Sequence, residues 1–457
     1  MRLALTFVAL LFAGAVVRAE DDYIPNSGLD AAGFVKLWQL RLPLEPGQQV
    51  ADAYSVDEAL YVATKDGYVY ALDIDTGALR WMHQVTTGGY RVLRPCHVGD
   101  RVIFVTASQS TQYDRLTGEP IRRTNLRYPA GSGLVGDNGQ YFFGSLNRRF
   151  YCLGVNDDFE TWKSGTNGSI VSTPALHGEV LYVASDDGGV YSCFTADKRF
   201  HWQSATTGAN TADLVADERG VYVASRDRSL YLFDQQFGKV VWRARLSGPL
   251  TEAPSVTTEV AYQFESLDGL VAINTAVLDV QERVRWKLPR GRALLTVHEN
   301  NAYVLSRQES ILVVDNVDGN LISEIPAAGF GIPAPRPADA LIMLGSADGR
   351  LFAAKPKGAP RVRREDVRKA IYGEAKTADA TPTTQPARQP VIPPAAETGR
   401  AQAGPPAGGK SKVSRDFGRG GASGAGAASG GGASSEKPGE KPAEKPATPE
   451  KKPGGGH

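Results

Sequence analysis

The chain has 457 residues, 42% hydrophobic and 22% charged, with 51 Lys+Arg against 50 Asp+Glu. That is enough for a large core, in one domain of repeats or two ordinary domains. After the first twenty residues no stretch is long and apolar enough to span a bilayer.

The amino terminus, MRLALTFVALLFAGAVVRAE, places a basic Arg2 before an apolar run from Leu3 to Val17 and ends on Val-Arg-Ala. Residues 1–19 read as a secretory signal cleaved after Ala19, followed by a lead-in over 20–36. No cysteine lies near the cleavage point, so a lipid anchor at the new terminus is not expected. An exported chain meets an oxidising compartment. Its three cysteines, Cys96, Cys152 and Cys193, form no Cys-x-x-Cys, and an odd number leaves at least one free or shared between chains. They read as small buried residues.

Residues 37–357 are a repeat. In ALYVATKDGYVYALDIDTGALRW a strand over Leu60–Thr64 meets an Asp66-Gly67 turn, a strand over Tyr68–Asp73 meets a Thr76-Gly77 turn, and a third strand runs through Trp81. Short strands joined by tight turns predict a meander. The centres of the corresponding first strands fall at Tyr61, Phe104, Phe142, Tyr182, Tyr222, Tyr262, Tyr303 and Ile342. A period near 40 residues with several short strands per unit predicts an all-β propeller with eight four-stranded blades. A helical repeat of similar period is rejected, because the apolar residues come in β-branched and aromatic runs broken by Gly or Asp. A Gly- and Pro-bearing segment before each unit, such as 168–176, 248–254 and 329–335, is the expected innermost strand.

Trp81, Trp162, Trp202, Trp242 and Trp286 share one slot at the start of an outer strand, and Arg122 and Ser323 hold it in the two other complete repeats. The eighth unit stops after two strands. Trp38, in VKLWQLRL, sits in a segment like the missing outer strand, so the amino-terminal strand is expected to complete the last blade and close the ring. All six tryptophans are expected to dock between blades, with Thr76 and Gly77 forming the turn that aims the ring.

The stretch ALDIDTGALRW resembles the tryptophan-docking motif of the pyrroloquinoline-quinone-like propeller family, A-x-D-x-x-T-G-x-x-x-W, with every fixed position present. The other repeats keep it in part: LFDQQFGKVVW retains Asp234, Gly238 and Trp242. The resemblance covers about 37–355 and carries the fold. Within the family, quinoprotein dehydrogenases imply long insertions, an acid–base aspartate, carboxylate and amide ligands to calcium, and often two adjacent cysteines. This chain has near-minimal blades and no Cys-Cys. It is more similar to the non-enzymatic BamB-like branch, which implies a rigid platform for a protein or envelope partner, possible outer-membrane protein assembly included. That branch carries an acylated cysteine after its signal, which this chain lacks.

Residues 358–457 turn to Gly, Pro, Ala, Ser and Lys and are expected to stay disordered. They hold 17 Lys+Arg and 10 Asp+Glu, a net of +7 against +1 for the whole, which leaves 1–357 at −6. An extended basic tail suits an anionic envelope surface or a long reach.

No catalytic, cofactor or metal residue is assigned. The histidines make no HExxH or other metal spacing, and His177 and His298 fall at one turn position of their repeats. Cys96-His97 is a lone neighbouring pair. DNGQ and SADGR are turns without calcium-loop spacing. Asn167-Gly168-Ser169 is a sequon expected to carry no sugar. No nucleophile elbow, phosphate loop or dinucleotide fingerprint occurs. Basic residues are not clustered along the folded part, which argues against nucleic acid. The expected protein is an exported, monomeric, non-catalytic scaffold in the periplasm or cell envelope, without a cofactor. The alternative is a quinoprotein-type dehydrogenase binding pyrroloquinoline quinone and calcium.

Overall fold

The computed structural model describes residues 22–359, apart from 88, 278, 280–282 and 337–338. The chain divides into two units, 1–383 and 384–457, and every described residue lies in the first. The expected signal, 1–19, and the expected tail beyond Ala359 lie outside the described residues.

Side chains alternate between the two faces of a strand, yet Ala59–Thr64 is buried at every position. The same holds for Gly220–Ser225 and Ser229–Phe233. Strands buried on both faces require sheets covered on both sides. The chain answers with eight four-stranded antiparallel sheets, each ordered from an inner to an outer strand. Blade 1 consists of Val50–Val56, Ala59–Thr64, Tyr68–Asp73 and Leu79–Gln84. Blades 2 to 7 cover 96–125, 130–165, 175–205, 215–245, 255–288 and 291–326.

Blade 8 joins Ile332–Pro333, Ile342–Gly345 and Arg350–Pro356 to the amino-terminal Phe34–Arg41, which pairs with Arg350–Pro356 as its outer strand. The expected closure is present, and it begins at Phe34, before the predicted boundary at 37. The ring is sealed by eight apolar clusters, each drawn from two neighbouring blades. Tyr61, Trp81, Phe104 and Tyr113 join blades 1 and 2, and Trp38, Leu60, Val62 and Met343 join blades 8 and 1.

The inner strands are shorter than expected and displaced. Those of blades 4, 6 and 8 are Ala175–His177, Ser255–Val256 and Ile332–Pro333. Most of 168–176, all of 248–254 and most of 329–335 are irregular chain leading into them. Proline cannot donate to a ladder, and each of these segments carries one or two.

Turns between strands 1 and 2 and between strands 3 and 4 share one face of the ring, here the turn face. The other connections lie on the opposite face.

Candidate docking site

Each indole donates to a carbonyl in the strand 3–4 turn of the following blade. Trp38 Nε1 reaches Ile74 O at 2.6 Å, Trp81 reaches Arg115 O at 3.3 Å and Trp162 reaches Thr195 O at 3.2 Å. Trp202, Trp242 and Trp286 reach Gln235 O, Thr275 O and Asn316 O at 2.7, 2.9 and 3.1 Å. All six are at most 8% exposed.

In four of the six receiving turns a glycine lies beneath the ring: Gly77, Gly118, Gly238 and Gly319. A Cβ on Gly118 would stand 2.3 Å from Trp81 Cγ, and one on Gly238 would stand 2.3 Å from Trp202 Cε3. Thr76 and Gly77 therefore receive Trp38 rather than aim Trp81. Asp73 builds that turn by accepting from the Thr76 amide and hydroxyl at 3.0 and 2.9 Å, and Gly77 takes φ 69°. Outer-strand indoles lean toward the next blade while the turn opens toward the previous one, so motif neighbours in sequence serve different seams.

Two seams lack the indole. Between blades 2 and 3, Arg122 donates to Asn156 O at 2.8 Å and Arg101 to Val155 O at 2.9 Å. Beneath them the buried carboxylate of Asp158 accepts from Gln112 Nε2, Tyr141 OH and Thr124 Oγ1 at 2.6, 2.7 and 2.5 Å. Between blades 7 and 8, Ser323 has no receiving turn, because strands 3 and 4 of blade 8 come from opposite parts of the chain. The helix Asn26–Ala31 fills that gap, with Gly28 against Ile325 and Leu29 buried.

The densest polar cluster, unread in the sequence, lies on the turn face between blades 1 and 2. His97 places Nε2 2.7 Å from Tyr61 OH and Nδ1 2.8 Å from Asp57 Oδ2. Glu58 accepts from Arg80 at 3.2 Å and Arg115 at 3.1 Å, and Arg80 also reaches Asp73 at 2.7 Å. The hydrogen bond from His97, with Arg115 and Arg336 nearby, holds the Asp57 carboxyl below the usual carboxylate range although burial pushes it up.

One ligand atom each from Asp57, Glu58 and His97 lies within 4.8 Å of the others, a spacing a metal ion could use. The charges are already balanced, however: Asp57, Glu58 and Asp73 face Arg80, Arg115 and Arg336, and both His97 nitrogens have partners. The cluster is an inter-blade weld.

Around the axis the carboxylates are also engaged. Asp52 accepts from Arg91 at 2.9 and 3.1 Å, Asp213 accepts from the Thr173 amide at 2.7 Å, and Glu252 pairs with Arg292. The cysteines sit in separate strands, all buried, and none is bridged. Burial pushes the Cys152 and Cys193 thiols up to about 12. Among the described residues this set does not fit the calcium-held quinone and paired cysteines implied by the dehydrogenase resemblance. A depression of about 650 Å³ on the turn face is lined by Asp57, Asp217, Glu218, Arg219, Arg336 and Asp339 among others. Its two arginines are bonded to neighbouring carboxylates and carbonyls.

A short stretch of blades 2 and 3 also carries several exposed basic residues. Arg122 and Arg123 on the outer strand of blade 2, Arg127 beyond it, and Arg148 and Arg149 of blade 3 are all exposed. The sequence-based expectation of no basic cluster on the folded part meets an exception in this stretch, where five exposed arginines fall within residues 122–149.

Comparison with known proteins agrees with this architecture. The family model described as outer membrane protein assembly factor BamB matches residues 20–119, 111–216 and 193–281. The chain is 25% identical over 176 residues to outer membrane protein assembly factor BamB of Burkholderia pseudomallei, covering 37% of this chain and 46% of that protein. It thus spans about half the length of that relative. It is 20% identical over 373 residues to BamB of Yersinia pestis, covering 76% and 86%. It is also 22% identical over 196 residues to tetrathionate hydrolase of Acidithiobacillus ferrooxidans, covering 42% and 36%. The crystal structure of BamB from Moraxella catarrhalis shares the fold at a TM-score of 0.57 and 16% identity, over 72% of this chain and 99% of that one. With more than half of its length matched by that model, the chain belongs to the BamB family of pyrroloquinoline-quinone-like β-propellers.

Proposed function

We propose that this protein is an exported, non-catalytic platform that binds a protein or cell-envelope component, in the assembly of outer membrane proteins. The observation that carries the reading is the state of the axial groups: Asp52, Glu252, Asp57 and Glu58 are each paired with basic side chains of the ring itself. Such groups brace a scaffold and leave no free carboxylate cage for chemistry. The connections between strands support it too, the longest running from 85 to 95, which is too short to roof a pocket. Similarity to proteins named outer membrane protein assembly factors supports the assembly role.

The leader over 1–19 delivers the chain to the periplasm, and the ring, closed within one chain, works as a monomer. The basic residues of 358–457 add a peripheral contact with an anionic envelope surface. A quinoprotein-type dehydrogenase is the competing reading, favoured by the similarity to polyvinylalcohol dehydrogenase of Pseudomonas sp., 26% identical over 228 residues.

Titration of the purified full chain with pyrroloquinoline quinone and calcium, then with an alcohol or sugar and a dye acceptor, separates the two. No uptake and no turnover are expected; tight uptake with turnover overturns the platform. Co-purification of outer-membrane assembly proteins with the full chain and with a chain ending at 357 locates the contact. The blades are expected to suffice, and retention by the tail alone refutes blade-borne binding.

A further inference from the structure

The outer strand of blade 2, Pro120–Asn125, is unlike its counterparts. Those of blades 1, 3, 4, 5 and 6 each bury a tryptophan at mid-strand. Pro120–Asn125 buries nothing: five of its six residues are exposed and Thr124 is half-buried. The absence of the indole leaves a strand held by its ladder to Gln109–Asp114, by Arg122 on Asn156 and by Thr124 on Asp158. It is an edge strand, so every second backbone N–H and C=O points outward without a ladder partner.

The charge is equally distinct. Residues 115–149 hold Arg115, Arg122, Arg123, Arg127, Arg148 and Arg149 against Glu119 and Asp137, within a part of the chain, 1–357, whose net charge is negative. Many arginines elsewhere on the ring are matched, Arg80, Arg91, Arg219, Arg292, Arg336 and Arg350 each having a carboxylate partner, while Arg226, Arg228 and Arg245 of blade 5 are exposed without an ion pair among the described residues. Among the described residues Arg122, Arg123, Arg127, Arg148 and Arg149 have no ion pair.

Arg127 and Arg148 belong to segments that pack together. Leu146 N donates to Pro129 O at 3.2 Å, and the rings of Tyr128 and Tyr151 stack at 3.6 Å. The chain just beyond the edge strand, with Arg127, thus lies against the segment that carries Arg148.

From this geometry we infer that the outer edge of blade 2, with the adjoining Arg148–Arg149 turn, receives an acidic, extended polypeptide segment of a partner protein. The inference rests on the platform reading and names where and what that platform binds. The unpaired edge offers a ladder to a strand, and guanidinium groups favour carboxylates through two-pronged hydrogen bonds. Arg122 and Arg123 are successive residues, so they project to opposite faces of the sheet. A flat anionic membrane can meet only one of those faces, whereas a strand in the plane of the sheet carries carboxylates to both. The same arginines repel a second copy of this strand, which keeps the edge from pairing with itself.

The test uses the full chain and a fluorescent short peptide rich in glutamate and threonine, followed by anisotropy at about 50 and about 200 mM salt. The arms are a lysine-for-glutamate peptide, the acidic peptide N-methylated at alternate residues, and phosphatidylglycerol vesicles. The protein variants are Arg122→Glu with Arg123→Glu, and Lys198→Glu with Arg199→Glu on blade 4 as a control, with circular dichroism to verify folding. The acidic peptide is expected to bind, to weaken about tenfold or more on reversal at 122 and 123, and to weaken at high salt. The lysine and N-methylated peptides are expected to bind poorly, and the blade 4 reversal to change little. Absent binding, or binding insensitive to reversal at 122 and 123, overturns the inference. Capture of vesicles instead of the peptide, lost on the same reversal, also overturns it while leaving the platform reading intact. Should the reversed protein misfold, the N-methylated peptide decides: equal binding of both acidic peptides refutes strand pairing.

Discussion

The indole of Trp38, in blade 8, lies so close over Gly77 of blade 1 that a Cβ on that glycine would stand 2.7 Å from Trp38 Cδ2. Gly77→Ala therefore has two costs. An alanine at φ 69° is strained by roughly 1–2 kcal/mol, and displacing the ring adds about 1–3 kcal/mol of overpacking. Gly139→Ala isolates the first cost, since its φ is 77° and nothing lies within 4 Å. Urea unfolding is expected to rank Gly77→Ala well below Gly139→Ala, and equal midpoints would count against ring contact at this seam.

Trp202→Ala empties a buried aromatic site and should destabilise by about 3–5 kcal/mol. Trp202→Phe keeps much of the ring and loses the bond from Nε1 to Gln235 O, 2.7 Å long, a loss of about 1 kcal/mol beyond repacking. An unchanged denaturation midpoint for Trp202→Ala would show that the indole does not join blades 4 and 5.

At the seam between blades 2 and 3 the same function falls to a carboxylate. Asp158→Ala removes the acceptor of buried Gln112 and of half-buried Thr124 and leaves Tyr141 only the 3.2 Å bond to Ser110, and an orphaned buried group costs about 1–3 kcal/mol. A loss of roughly 3 kcal/mol or more is expected, with amide exchange accelerated first in blades 2 and 3. Uniform acceleration around the ring would refute a local weld.

Burial pushes the Asp73 carboxyl up, but the hydrogen bond and charge of Arg80, with bonds from Thr76, outweigh it and hold the group below its ordinary 3.8. A depressed folded value means that the stabilisation is complete above the unfolded value and is lost as pH falls through the folded one. Asp73→Asn should be less stable than wild type near about pH 6, with the gap narrowing toward about pH 3. A gap constant across that range would contradict the ion pair.

The three thiols, all buried, should resist a disulfide reagent in the native protein and react together once the chain is unfolded in denaturant. Rapid labelling of Cys152 or Cys193 without denaturant would show that the seam between blades 3 and 4 opens.

The eightfold period, the blade order and the closing strand were legible because apolar runs, turn residues and Trp recur every 40 residues or so. The direction of docking was not, since Thr76, Gly77 and Trp81 are neighbours in sequence and nothing there says which blade each one faces. Partnerships across one period were hidden for the same reason. Asp57 and His97 stand 40 residues apart and meet only because blades 1 and 2 are adjacent. Asp158 occupies a degraded turn, NDDFETW, where its buried place depends on Tyr141 and Gln112 of two different blades. The basic excess of 115–149 was countable in the sequence, but its exposure was not, because only the sheet order shows that Pro120–Asn125 buries no residue.

Phe34 pairs with Pro356, more than three hundred positions away. Bringing such distant partners together costs on the order of 5 kcal/mol in chain entropy. A polypeptide delivered from its amino end holds its opening ribbon idle while seven sheets assemble, and the clasp shuts only when the last repeat arrives. Shortening the array from either side therefore removes the fastener itself and leaves an arc with two raw ends.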